Sequence, residues 1–96
     1  MKTGQRIWLP SIREKIVSKH NVYPDEAEEV FTSNPPVRYA RKGRRRGEDV
    51  YFAMGKTGGG RLLIIFFVRK LSGEALVISA RDMTAKERRL YEKAKS

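Results

Sequence analysis

The sequence predicts a single α+β domain spanning residues 1–96, with two N-terminal helices and one C-terminal helix packed on a four-stranded antiparallel sheet. Apolar residues recur at helical spacing before residue 34 and after residue 84. Between them, short extended runs are separated by glycine-rich or charged turns that are short enough for a meander. Ninety-six residues suffice for one hydrophobic core but not for a second domain.

Two helices are predicted in the N-terminal third. The first begins at Pro10, with Ser11 and Glu14 at capping-box spacing. It ends at Asn21, since asparagine tolerates the left-handed conformation that terminates many helices. The second begins at Pro24, because proline is favoured in a first turn, and a proline pair ends it.

Four strands are predicted next, at residues 37–41, 50–56, 61–70 and 75–81. Residues 62–68 are seven consecutive apolar residues, too many for a strand with one wet face. This strand should therefore be central and covered on both sides. The N-terminal helices can cover one face, and the other face requires the C-terminal helix, a second copy of the chain or a partner.

The last helix is predicted at residues 84–94. Thr84 and Glu87 have capping-box spacing, so the helix has a defined start. Leu90 and Tyr91 would face inward. The start lies next to Arg81 at the end of the last strand, an arrangement that presents cations to an anion.

The charge of the chain favours a polyanionic partner. Lys and Arg number 21 against 11 Asp and Glu, which gives a net charge of +10. RNA, DNA, an anionic membrane and an acidic protein all satisfy this, although the basic C-terminal helix lacks the broad apolar face of a membrane-surface helix. From Arg38 to Arg46 there are six cations and no acid, on a predicted flexible hairpin tip suited to phosphate contacts. Alternatively, these charges are solvated and only discourage edge aggregation.

Neither a metal nor a cofactor is predicted. The chain has no cysteine and one histidine, and the acids at residues 25–29 suit a helix N-terminus better than a metal site. The longest apolar run is far short of the roughly 20 residues that cross a bilayer, and we expect no signal peptide before the domain. The default expectation is a cytoplasmic protein that does not insert into membranes.

Several side chains are candidates for chemistry, each with a structural alternative. His20 is the one side chain with a reference pKa near neutrality, but it also lies one turn after Ile16 on an apolar helix face. Arg69 and Arg81 lie at strand ends, where each could bind phosphate or close an ion pair. Tyr91 could either pack in the core or present its hydroxyl in an active site.

The order of short motifs along the chain resembles the BrnT family of toxins from bacterial type II toxin–antitoxin systems, over about residues 12–94. The motifs are Lys19-His20-Asn21-Val22, Glu26-Ala27-Glu28-Glu29-Val30-Phe31, Gly47-Glu48-Asp49, Gly55 to Arg61, Ser79-Ala80-Arg81, Glu87-Arg88 and Tyr91. Two departures are the absence of an aspartate after Trp8 and Asn21 in place of the usual glycine.

The resemblance implies a RelE-like fold and a metal-independent endoribonuclease that inhibits translation. It also implies neutralisation by a BrnA-like DNA-binding antitoxin, and we expect a homodimer or a toxin–antitoxin hetero-oligomer. The catalytic residues carried over by matching position are His20, Arg81, Glu87, Arg88 and Tyr91. The expected RNA-binding residues are Lys19, Arg41, Lys42, Arg44, Arg45, Arg46 and Arg69. The competing hypothesis is a non-catalytic nucleic-acid-binding or protein-binding module that uses the same basic surface.

Overall fold

The structure, a computed structural model, describes residues 4–95. Its elements are β1 (Arg6–Ile7), α1 (Pro10–His20), α2 (Pro24–Thr32), β2 (Val37–Arg45), β3 (Glu48–Lys56), β4 (Leu62–Arg69), β5 (Ala75–Asp82) and α3 (Ala85–Lys95). The strands form one sheet in the order β1-β5-β4-β3-β2. None of the helices in this part of the chain has the length and apolar character needed to span a membrane.

The sheet has five strands and is mixed, which corrects the prediction of four antiparallel strands. Strands β2 to β5 do form the predicted antiparallel meander. The additional strand is β1, which pairs in parallel with β5 through Arg6 opposite Ala75 and Ile7 opposite Leu76. Two residues are too few to show the period-2 pattern by which a strand is recognised.

Strand β4 is central and buried on both faces, as its apolar run predicted. Leu63, Ile65 and Phe67 pack in a core with α1 and α2, which we call the helix face of the sheet. Phe31 of α2 meets the Phe67 ring edge-on at a centroid distance of 5.6 Å. The helix-face core also takes in Ile16, Val22, Ala27, Val30, Ala53, Ala75, Val77 and Ala80.

The opposite side of the sheet, the α3 face, is only partly covered by the C-terminal helix. Tyr91 of α3 packs with Met54, Ile64 and Met83 in a second, smaller core. Farther along the same face, Val68 and the side chains of Leu76 and Ile78 on β5 stay half-buried. Of the three alternatives considered for covering this face, the C-terminal helix therefore covers part of it.

Of the three helix caps predicted from the sequence, two are present in the structure. Asn21 adopts the predicted left-handed conformation with φ 54°, and ends α1. Thr84 and Glu87 form the predicted capping box, with Thr84 N–H donating to Glu87 Oε1 at 2.8 Å and Glu87 N–H donating to Thr84 Oγ1 at 3.2 Å. The box predicted at Ser11 is wrong, because α1 begins at Pro10, as predicted, and its N-cap is Leu9, which makes no side-chain cap.

The basic hairpin is more regular than predicted. Strand β2 continues to Arg45 and β3 starts at Glu48, so the connection is a tight turn rather than a loop over residues 42–49. Two register shifts lie along β2, and they interrupt the alternation that would have revealed the strand in the sequence. The cations of residues 41–45 are therefore held on a strand.

The hairpin depends on glycine at position 43. A Cβ there would lie 1.8 Å from the carbonyl oxygen of Glu48 on β3, so a larger residue would force the strands apart. We expect Gly43→Ala to lower the free energy of unfolding by about 1–3 kcal/mol, measured by urea unfolding followed by circular dichroism. Gly59→Ala is the control, because its Cβ would meet only Thr57 Oγ1 at 3.8 Å. Equal stability of the two variants would contradict the close approach.

Candidate active site

An open cleft of about 530 Å³ lies where the C-terminal end of α1 meets the end of β5. It exists because β1 pairs only with Ala75 and Leu76, which leaves the rest of β5 as a sheet edge against which α1 packs. Lys15 Nζ on α1 donates to the carbonyl oxygen of Ile78 at 2.6 Å and so satisfies part of that edge. The cleft is lined by Ser18, Lys19, His20, Asn21, Arg81, Asp82 and Thr84.

Arg81 is held rigidly at this cleft by Glu87. Its Nη1 and Nη2 donate to Glu87 Oε1 and Oε2 at 2.7 and 2.9 Å, a bidentate pair. The guanidinium carbon also lies 5.5 Å from the centre of the Phe66 ring. The hydrogen bonds from Arg81 lower the pKa of the Glu87 carboxyl, so Glu87 stays ionised at neutral pH. The ion pair that the sequence offered as an alternative for Arg81 is therefore formed.

Arg61 connects the three elements around the cleft. It donates through Nη1 to the carbonyl oxygen of Asn21 at 2.6 Å and through Nη2 to that of His20 at 3.1 Å. Its Nε and Nη2 also donate to Asp82 Oδ1 and Oδ2 at 2.7 and 3.1 Å, and the bond to Asp82 lowers the pKa of that carboxyl. The end of α1 is thereby fastened to β4 and β5.

Sequence reasoning missed Arg61 as a site residue. The available signal was a helix C-terminus with unsatisfied carbonyl groups at His20 and Asn21. An arginine opening the strand after a glycine turn can reach such carbonyls, but the sequence could not identify which of many cations does so. The fold selects Arg61 by bringing the start of β4 beside the end of α1.

The structure brings Lys19, His20 and Arg81 to one cleft and places Arg88 beside it. Lys19 is exposed and His20 is half-buried. Within residues 4–95 the His20 imidazole makes no hydrogen bond or ion pair, although its backbone carbonyl is held by Arg61. Arg88 is exposed on α3, and it and His20 make smaller electrostatic contributions to the lowered pKa of Asp82.

Tyr91 lies outside the cleft lining. Its side chain is 9% exposed and packs with Met54, Ile64 and Met83 on the α3 face. Lys95 Nζ lies 5.3 Å from the centre of its ring. The surroundings of Tyr91 support the core-packing alternative.

The expected RNA-binding cations lie at the other end of the sheet. Arg81 is opposite Ile64 on β4, whereas Arg41 is opposite Val50, which is opposite Val68. Ile64 and Val68 are four residues apart on β4, so the register positions of Arg81 and Arg41 are about 13 Å apart along the strands. Of the predicted set, only Lys19 therefore lines the cleft, while the hairpin and the end of β4 hold Arg41, Lys42, Arg44, Arg45, Arg46 and Arg69.

The acidic residues in the first turns of α2 have structural roles, because they accept hydrogen bonds from neighbouring segments. Glu26 accepts from the backbone N–H of Tyr23 at 3.0 Å, and Glu29 accepts from that of Gly58 at 2.7 Å. Glu28 binds the Arg6 guanidinium and the Trp8 indole N–H, which fixes the N-terminal segment to α2. In the part of the chain that the structure describes, no three His, Cys, Asp or Glu side chains converge as metal ligands.

Comparison with known proteins assigns the chain to a family. None of the curated proteins compared with the chain matches it. The family model of the ribonuclease toxin BrnT of type II toxin–antitoxin systems matches residues 8–87, which include α1, α2, all of β2 to β5 and the Arg81–Glu87 pair. A toxin of this kind acts on RNA and is neutralised by an antitoxin. The chain therefore belongs to the BrnT family of ribonuclease toxins of type II toxin–antitoxin systems.

Proposed function

We propose that the toxin cleaves RNA in the cleft between α1 and β5. The observation that carries this proposal is the convergence of Lys19, His20 and Arg81 on one open surface, with Arg81 immobilised by Glu87. The cleft thus offers an imidazole beside two cationic side chains. That combination suits an RNA phosphate and a proton transfer next to it.

The chemistry uses the nucleophile that RNA itself carries. The ribose 2′-oxygen attacks the adjacent phosphorus, the bond from phosphorus to the 5′-oxygen breaks, and the products are a 2′,3′-cyclic phosphate and a 5′-hydroxyl. A base takes the proton of the 2′-hydroxyl, and an acid supplies a proton to the departing 5′-oxygen. His20 serves as that base or that acid. Lys19, Arg81 and Arg88 stabilise the charge that develops on the phosphate oxygens.

Glu87 and Tyr91 support this site from α3. Glu87 orients Arg81, since both carboxylate oxygens are engaged and its lowered pKa keeps it ionised at neutral pH. Tyr91 anchors α3 on the sheet through its buried ring. A catalytic role for Tyr91 would require its hydroxyl to reach the RNA, whereas the burial of the side chain supports the anchoring role.

The basic hairpin binds the RNA backbone away from the scissile bond. Its cations and the cleft are joined by the α3 face, where the Phe52 and Phe66 rings pack 5.9 Å apart. Phosphate contacts at the hairpin add affinity without reading sequence. We assign this contact to Arg41, Lys42, Arg44, Arg45 and Arg46, with Arg69 at the adjoining end of β4.

The family match supports a more specific cellular role. We propose that the antitoxin is a BrnA-like DNA-binding protein, that the fold is RelE-like, and that the toxin acts in the cytoplasm by stopping translation. We further propose that the neutralised form is a toxin–antitoxin hetero-oligomer rather than a toxin homodimer. The experiment for the assembly is the molar mass of the co-purified complex.

Removal of the imidazole or of the guanidinium tests the site. We expect His20→Ala and Arg81→Ala to lower the rate of cleavage of a single-stranded RNA by about 100-fold or more in buffer containing EDTA. The native chain should release a 2′,3′-cyclic phosphate, identified by mass spectrometry of the fragments. Arg89→Ala, on the exposed surface of α3, is the control. Full activity of a folded His20→Ala variant would remove the histidine from the mechanism.

Arg61 should act by positioning His20. The Arg61→Lys variant keeps the positive charge, but an ammonium group cannot replace the five hydrogen bonds of the guanidinium. Those bonds go to the carbonyl groups of His20 and Asn21 and to the carboxylates of Glu26 and Asp82. We expect kcat for RNA cleavage to fall about tenfold with KM changed less than twofold, because RNA contacts are kept while the histidine is misplaced. Arg38→Lys on β2 is the matched control. A rise in KM at unchanged kcat would instead make Arg61 an RNA contact.

The Arg81–Glu87 pair predicts a pH dependence of stability. The folded pKa of Glu87 is below its unfolded value, so the stabilisation is fully present above that unfolded value and is lost as pH falls through the folded pKa. Glu87→Gln keeps an acceptor for the Thr84 N–H and loses the charge. We expect the variant to be less stable by roughly 1 kcal/mol at pH 7. The difference from the native chain should shrink toward zero in acid, as measured by urea unfolding. A difference independent of pH would exclude the ion pair as its cause.

A further inference from the structure

A second cavity, about 590 Å³ in volume, lies on the part of the α3 face that α3 does not cover. Its floor spans three strands and is aliphatic, made of Val50, Val68, Leu76 and Ile78. Val50 is almost fully buried, while the other three are half-buried and accessible from the cavity. We call this feature the hairpin groove, because one wall is the basic hairpin. The rest of its lining is Arg41, Lys42, Gly43, Arg44, Arg45, Glu48 and Lys70.

The wall of the hairpin groove carries excess positive charge. Lys70 Nζ is paired with Glu48 Oε1 at 3.0 Å, and Glu48 also accepts from the Leu71 N–H, so these two charges offset each other. The hydrogen bond from Lys70 lowers the pKa of the Glu48 carboxyl and keeps it ionised. By contrast, Arg41, Lys42 and Arg44 make no ion pair with any residue of the range 4–95. The groove thus combines an apolar floor with cations that have no acidic partner.

We propose that the hairpin groove binds an acidic, amphipathic segment of the antitoxin. Apolar side chains of the segment cover the aliphatic floor, and its carboxylates face the hairpin cations. Covering the half-buried Val68, Leu76 and Ile78 removes apolar surface from water, which drives protein association. The complementary charges favour encounter and fix the orientation of the segment.

The composition of the floor favours a protein segment over RNA. Single-stranded RNA bases stack on aromatic rings or arginine planes. The floor has no aromatic residue, and the Phe52–Phe66 pair is not part of the groove lining. RNA uses the cations at the rim, whereas an amphipathic segment uses both the cations and the floor.

This arrangement gives the antitoxin a means of neutralisation. It rests on the proposed function, in which the hairpin cations hold the RNA backbone. Carboxylates in the groove occupy the same cations, so bound antitoxin competes with RNA without entering the His20 cleft. The floor contributes to the affinity for the antitoxin but not to the affinity for RNA. A substitution on the floor can therefore distinguish the binding of the two ligands.

A thiol footprint tests the location of the segment. The chain has no cysteine, so Leu76→Cys provides a unique thiol on the floor. We expect saturating cognate antitoxin to slow alkylation of this thiol by iodoacetamide at least tenfold. Leu9→Cys, at a leucine 44% exposed at the start of α1, is the control and should react at an unchanged rate. Undiminished alkylation of Leu76→Cys in the complex overturns the proposal.

A second pair of variants separates antitoxin from RNA. Leu76→Thr combined with Ile78→Thr keeps strand-compatible side chains and makes the floor polar. We expect the Kd for the antitoxin, measured by calorimetry, to rise about tenfold while the RNA cleavage rate stays within about twofold of the native chain. Leu9→Thr should change neither quantity. A parallel loss of cleavage and antitoxin binding in a folded double variant overturns the proposal in favour of an RNA surface.

The footprint remains decisive if the double variant does not fold. Failure of the proposed function is recognised independently, since it would appear as undiminished cleavage by His20→Ala. The footprint measures antitoxin contact whether or not the cleft is catalytic. Protection of Leu76→Cys by an RNA oligonucleotide but not by the antitoxin would also overturn the proposal.

Discussion

The requirement to bury strand β4 on both faces determines how the chain is arranged. Four of its residues, Leu63, Ile64, Ile65 and Phe67, are nearly inaccessible to solvent. Burying an aliphatic or aromatic side chain of this size is worth about 1.5–3 kcal/mol, so leaving either face open would cost a large part of the stability of a small domain. Helices α1 and α2 cover one face, and α3 covers part of the other. Residues of α3 do not line the rest of that face, which stays accessible as the hairpin groove.

The cleft is a consequence of the same arrangement at the edge of the sheet. Covering β4 places α1 along β5, and β1 is too short to pair with the last residues of β5. The carbonyl groups at the end of α1 then need donors, and Arg61 supplies them while binding Asp82. His20 and Arg81 lie at the same cleft because Arg61 binds both the carbonyl groups at the end of α1 and the Asp82 carboxylate at the end of β5. The site is therefore built from groups that the fold already has to satisfy.

The features that the sequence predicted correctly depend on neighbours close in the chain. The Thr84–Glu87 capping box and the left-handed Asn21 involve residues within one helical turn, and the burial of β4 follows from its own composition. The features missed depend on contacts across the fold. Strand β1 is defined by a partner almost 70 residues away, and the role of Arg61 depends on a helix end 40 residues before it. Local pattern carries no information about such pairs, and the bulges of β2 removed even the local alternation.

The charges of the toxin are divided between two tasks. At the cleft, Arg61 and Arg81 are paired with Asp82 and Glu87, and these ion pairs fix the positions of both guanidinium groups. At the hairpin, Arg41, Lys42 and Arg44 make no ion pair within residues 4–95, so they supply long-range attraction for a polyanion. Contacts remote from the reacting bond strengthen substrate and transition state alike, whereas fixed groups at the bond can favour the transition state selectively. In the proposed mechanism, RNA binding strength and catalysis therefore depend on opposite ends of one sheet. On this proposal, an inhibitor that competes for the hairpin cations controls the toxin without displacing His20 or Arg81 from the cleft.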